Sequence, residues 1–178
     1  MTVDHATLEE LEAGLLEVRR SPADGGAVEL IVRRPAVDER EELEEGVLDP
    51  AEGLVGDRWH ERVAVASPDT QLTLMNARFA ALVARTPDRR ALAGDQLYVD
   101  LDLSEENLPP GTRLAVGCAV IEVTAEPHTG CAKFSGRFGP TSLRFVSTPA
   151  GRALRLRGMY AKVVAGGVVR RGDTLRRV

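Results

Sequence analysis

The sequence is poor in the residues that small proteins use to staple themselves together. Two cysteines, Cys118 and Cys131, and three histidines are spread over 178 residues. With no CxxC pair they make neither a disulfide framework nor an evident zinc site. Aromatic residues are 4% of the chain, too few for base-stacking platforms, and a net charge of −4 opposes a polyanion. No apolar run approaches the roughly 18 residues that cross a bilayer. The opening MTVDHATLEELEAG is acidic where an export signal begins basic. The expectation is a cytoplasmic protein with neither a membrane nor a nucleic-acid partner. The 43% of apolar and 28% of charged residues suit one well-filled core, so a single domain is expected over residues 1–178.

Thr7 and Glu10 have capping-box spacing, and Leu8, Leu11, Leu15 and Val18 recur at helical intervals, which predicts a helix over 8–18. Val28, Leu30 and Val32 alternate with Glu29, Ile31 and Arg33 in a strand stopped by Pro35. The acidic stretch from Asp38 to Gly53 reads as a solvated helical turn or long loop without chemistry. Residues 71–75 read as a strand, with Asn76 capping a short helix to Ala84. Leu97, Val99, Leu101 and Leu103 form the apolar face of another strand. LAVGCAVIEVT, from Leu114, is apolar on both faces and reads as one buried strand, with Cys118 at its centre as an inert core residue. Thr148 and Pro149 start a short helix, and the chain closes in a hairpin or meander. Strand signals outnumber helical ones and no βα alternation is visible. The fold expected is mainly β, a closed or strongly curved β-barrel with a few short helices and its ligand site on the loops at one mouth.

The loop expected after the long strand, EPHTGCAKFSGRFG, places Cys131 among glycines with His128 and Lys133 nearby. Neighbouring positive charge favours the thiolate, the form of sulfur that attacks electrophiles and binds metals. Three chemistries use such a sulfur: ligation of a soft metal centre, carriage of a terminal sulfur, and nucleophilic attack on a carbonyl with His128 or His60 as base. Charge is also uneven. Residues 127–178 hold eleven Lys or Arg against one acid, Asp173. Either the two halves interleave and neutralise one another, or the basic part forms an anion-binding face.

The order GLVGDRWH, GDQLYVDLDL, LAVGCAVIEVT with HTGCAKF, and RLRGMYAKVVAGGVVRRGDTL resembles the MOSC domain, the family named after the C-terminal domain of molybdenum cofactor sulfurases. The resemblance runs from about Gly53 to the end. It implies a barrel-like β domain with one distinctive cysteine, matching Cys131 and not Cys118. It further implies molybdenum-cofactor chemistry: sulfur transfer, or reduction of an N-hydroxylated small-molecule substrate, with a sulfur-carrier or cofactor-binding module without turnover as the alternative. Carried over to this chain, Cys131 becomes the molybdenum ligand or sulfur carrier, and His128, Thr129, Gly130 and Lys133 form its loop. Arg58, Asp95 and Gln96 fall in cofactor-approaching segments, although family members often carry asparagine where this chain has Gln96. Arg137 and Arg144 are the first choices for the cofactor phosphate. No pyridoxal-dependent desulfurase motif is present, so a cysteine desulfurase or an electron-donor protein is the implied partner.

Overall fold

The computed structural model describes residues 3–62 and 67–178. Helix α1 (Leu8–Val18) starts at a complete capping box: Thr7 Oγ1 accepts from the Glu10 amide at 3.2 Å, and Glu10 Oε2 accepts from the Thr7 amide at 2.8 Å. Strand β1 (Gly26–Arg33) follows. The next segment forms β2 (Glu41–Leu43), β3 (Glu45–Asp49) and β4 (Gly53–Leu54), which corrects the expected helical turn or loop. Gly46 and Leu48 of β3 turn inward, and the acidic side chains that suggested a solvated loop are held by arginines from the far end of the chain: Glu45 by Arg170 at 3.0 Å and Glu44 by Arg171 at 3.1 Å. The interleaving of the two charged halves is therefore real for these pairs.

After β5 (Leu72–Asn76), Asn76 Oδ1 accepts from the Phe79 amide at 3.0 Å and caps α2 (Ala77–Ala84). A 3₁₀ helix at Pro87–Ala93 then leads to β6 (Leu97–Asp100), which pairs parallel to β5. The chain thus contains one β–helix–β unit that the sequence reading lacked. The expected strand from Leu114 is instead a hairpin, β7 (Arg113–Val116) and β8 (Ala119–Val123). Its two-residue turn has Gly117 at φ +56, the conformation that glycine adopts without a Cβ penalty. Cys118 is consequently an exposed turn residue rather than a core one.

The loop expected around Cys131 is largely helix. Cys131 is the N-cap of α3 (Ala132–Ser147), which is broken at Gly139 (φ +89) before Pro140. Phe134, Phe138, Ser142 and Val146, spaced by four, form its buried stripe. Two glycines, Gly136 and Gly139, and Pro140 conceal that period in the sequence. Helix α4 (Pro149–Ala153) and strands β9 (Met159–Ala165), β10 (Gly167–Arg170) and β11 (Thr174–Arg177) complete the chain.

Seven strands close a mixed barrel in the order β1-β11-β7-β8-β9-β5-β6, sealed by Gly26 of β1 against Leu175 of β11, with β2 added on β1. Strands β10, β3 and β4 form a small second sheet. Strand is about 30% and helix about 31% of the structure, because α3 and the 3₁₀ segments replace expected loops. The barrel expectation holds; the expected excess of strand does not. A bulge at Glu29 corrects the alternation in β1: Val28 and Ile31 both face the barrel core, while Leu30 and Val32 face the helices. The helical layer packs Leu11 and Val18 of α1, Phe79 of α2, and Phe134 and Phe138 of α3 against that outer face.

Candidate functional site

A cavity of about 440 Å³ lies where the chain leaves β1, enters β6 and β9, and begins α3. Cys131, Lys133 and Arg137 reach it from α3, His128 from the segment after β8, and Arg58 and Trp59 from the turn after β4. Arg34 and Arg40, flanking the segment that follows β1, and Arg157 and Tyr160, at the start of β9, complete the wall. The Cys131 side chain makes no capping hydrogen bond, so the thiol and the first backbone amides of α3 lie open together. Such a helix start favours anions.

Two buried carboxylates anchor the cationic wall. Asp57 is fully buried and accepts from the Arg34 amide at 2.9 Å, from Arg34 Nε at 2.8 Å and Nη2 at 2.7 Å, and from the Trp59 amide at 2.9 Å. Burial opposes charge on Arg34, but Asp57 more than offsets it and raises the guanidinium above its ordinary value. Asp95, also fully buried, accepts from Arg157 Nη1 at 2.8 Å, and Arg157 Nη2 donates to Ala93 O at 3.1 Å. The Arg157 guanidinium sits 5.0 Å from the centre of the Phe134 ring. Gln96 lies behind the wall, its Oε1 accepting from the Thr73 amide at 2.8 Å and from Thr73 Oγ1 at 2.6 Å.

Arg40 has no carboxylate partner among the described residues. Burial, with Arg137 and Arg34 close by, pushes its guanidinium below the usual value. Arg137 donates to Leu92 O at 2.8 Å and meets exposed Asp38 at 3.2 Å. Six buried side-chain polar atoms lack a hydrogen-bond partner among the described residues. Five of them, Arg40 Nε, Asp95 Oδ1, Tyr98 Oη, His128 Nδ1 and Arg157 Nε, lie on this wall or directly behind it. Unmet buried polar groups cost folding energy, so their concentration at one cavity marks a place for a polar ligand.

His128 is held neutral. Burial, then the charge of Arg157, lowers it to about 4, and Asp95 only partly opposes this. As pH falls through about 6.5 the unfolded chain therefore takes up this proton before the folded one, and stability falls with it until about pH 4. The loss expected from this residue is about 3 kcal/mol. Denaturant midpoints at pH 7.5 and 4.5 should converge in His128→Gln relative to the wild type; an equal pH slope in both would contradict the assignment.

The structure thus brings Cys131, His128, Lys133, Arg137 and Arg58 to one cavity. Thr129 and Gly130 line a second cavity of about 300 Å³ on the other side of His128 and Arg157. Asp95 and Gln96 stand behind the wall. Arg144 is exposed in a separate groove beside His5 and Leu8. His60 lies off the cavity, with Nδ1 2.7 Å from Asp57 O. Arg34, Arg40, Arg157 and Tyr160 were not singled out in the sequence; the doublet of arginines at the end of β1 and the arginine just before Gly158 were the only signals. Among the described residues no cluster of His, Cys, Asp and Glu could hold a metal by itself.

The geometry can be set beside known proteins. No curated protein matches the chain. Among solved structures, YiiM from Escherichia coli superposes with a TM-score of 0.57 at 22% identity, covering 85% of this chain and 69% of that one. The YUAD protein from Bacillus subtilis gives 0.59 at 16% identity, covering 84% and 93%. YiiM from Geobacillus stearothermophilus gives 0.60 at 15%, covering 86% and 75%. At these identities the likeness is one of fold. A family model for the MOSC domain matches residues 61–176, well over half the sequence, and the chain therefore belongs to the MOSC domain family.

Proposed function

We propose that the cation-lined cavity binds the molybdenum cofactor and that Cys131 is the thiolate that ligates molybdenum or carries sulfur. The observation that carries this reading is the gathering of five unmet buried polar atoms, unpaired Arg40 and the open N-cap thiol around one cavity. A phosphorylated pterin fits that chemistry. Arg40, Arg137 and Lys133 match its phosphate, and about 440 Å³ suits a small-molecule site. Cys131 gives one soft ligand, and no second protein ligand cluster is present among the described residues, so the remaining ligands come with the cofactor. When bound, the cofactor supplies oxidation and reduction at molybdenum. The chain's own part is to hold the anion, to present the sulfur at the start of α3, and to keep His128 neutral beside it. The substrate class that the family suggests is an N-hydroxylated compound, with an electron-donor protein as partner. The exposure of Cys131 favours a second reading, sulfur delivery with a cysteine desulfurase as donor.

Molybdenum and labile-sulfur analysis of protein purified from a cofactor-producing host tests both. Bound molybdenum supports the first and labile sulfur without metal the second; neither would remove the reading. Arg137→Ala should lower cofactor retention about tenfold, as expected for losing a charge-assisted phosphate contact, and retention should fall as salt rises. Arg144→Ala, in its separate groove, should retain cofactor as the wild type does. Equal retention in both variants would confine Arg137 to tethering Leu92 and Asp38.

A further inference from the structure

His128 is the only histidine among the described residues to line the first cavity, and it lines the second as well. Its Nδ1 stands 3.6 Å from Asp95 Oδ1, too far for a formed hydrogen bond but near enough for the carboxylate to orient the ring proton. Neither atom has another partner among the described residues. The second oxygen of Asp95 is committed to Arg157. Gly158, at φ +112, permits the approach: a Cβ there would stand 3.1 Å from His128 Nδ1 and 3.2 Å from Asp95 Oδ1. The Tyr160 ring fixes the imidazole from the side, with centroids 4.6 Å apart.

Three protonation states compete. An imidazolium would face Arg157 and Arg34 in a buried setting, with only Asp95 in its favour. A neutral ring protonated on Nε2 would turn the Nδ1 lone pair toward a buried carboxylate. Protonation on Nδ1 alone meets both constraints. Nε2 has no partner among the described residues and is not among the buried unpartnered atoms, so it opens onto the cavities.

We infer that Asp95 holds His128 as the neutral Nδ1–H tautomer, and that His128 Nε2 is the hydrogen-bond acceptor for an N–H or O–H donor on a molecule seated across both cavities. Asp95 is then a positioning residue. The second cavity, with Thr129 and Gly130 on its wall, becomes part of the same binding trough. The identity of that molecule as the cofactor or its substrate rests on the proposed function; the tautomer does not.

Nitrogen-15 spectra of histidine-labelled protein without molybdenum decide the tautomer, with His5→Gln and His60→Gln assigning the signals. His128 should show a protonated Nδ1 and an unprotonated Nε2 throughout pH 6–8. A proton on Nε2, or an imidazolium at pH 7, would overturn the inference. Asp95→Asn should mix the two tautomers, and if that variant does not fold the wild-type spectrum still decides. For the acceptor role, the full chain from a cofactor-producing host is the probe: His128→Leu should retain about tenfold less cofactor, and His128→Gln, which keeps an acceptor oxygen, should recover most of it. Undiminished retention in His128→Leu would exclude the acceptor role, whereas absence of both molybdenum and labile sulfur in the wild type would remove the proposed function and leave the tautomer standing.

Discussion

Asp57→Ala is expected to destabilise the protein by about 3–5 kcal/mol, the range for removing one partner of a buried ion pair. Asp57 sits at zero exposure and receives both the guanidinium and the amide of Arg34, together with the Trp59 amide. Without it, Arg34 keeps a charge with its side chain only 24% exposed, and among the described residues its guanidinium retains one hydrogen bond, to Gly94 O at 3.1 Å. The turn bearing Arg58 and Trp59 is loosened at the same time. Urea midpoints would read the loss directly. The double variant Asp57→Ala/Arg34→Met should recover a substantial part of it, because the uncompensated charge is then gone. A cost below about 1 kcal/mol for Asp57→Ala, or no recovery in the double variant, would show that the pair does not hold this wall.

How legible such features are in the sequence depends on whether their cause is local. Thr7, Glu10 and Asn76 satisfy backbone amides three residues away, so their caps could be read directly and α1 and α2 lie where expected. The bulge at Glu29 is set by how β1 meets β6, and nothing in the strand's own alternation announces it. Strand β3 was hidden because Glu45 at its start and Glu44 just before it are neutralised by Arg170 and Arg171, more than 120 residues away in sequence. Helix α3 was hidden because Gly136, Gly139 and Pro140 weaken its local propensity, and burial of Phe134 and Phe138 against the barrel overrides that weakness. The site divides in the same way. Cys131 and His128 carry distinctive chemistry on a short segment and stood out. Arg34 and Arg157 look like any other arginine until the fold places a buried carboxylate opposite each.

The two cysteines give the largest functional contrast. Cys131 is exposed at the start of α3 and its side chain caps nothing, so Cys131→Ala removes no buried contact and should leave stability within about 1 kcal/mol. The same change removes the one thiol in the cation-lined cavity, and molybdenum binding or persulfide formation should fall to background. Cys118, in the exposed turn between β7 and β8, lies outside that cavity, so Cys118→Ser should change neither stability by more than about 0.5 kcal/mol nor cofactor content. Since both thiols are exposed, simple alkylation would label both, and accessibility alone does not separate them. The separation comes from what surrounds each sulfur. Around Cys131 stand Lys133, Arg137 and Arg157 and the open amides of a helix start, which attract and hold an anionic ligand. Cofactor loading should therefore protect Cys131 from alkylation and leave Cys118 reactive. Protection of Cys118 instead, or full cofactor content in Cys131→Ala, would move the sulfur chemistry out of this cavity.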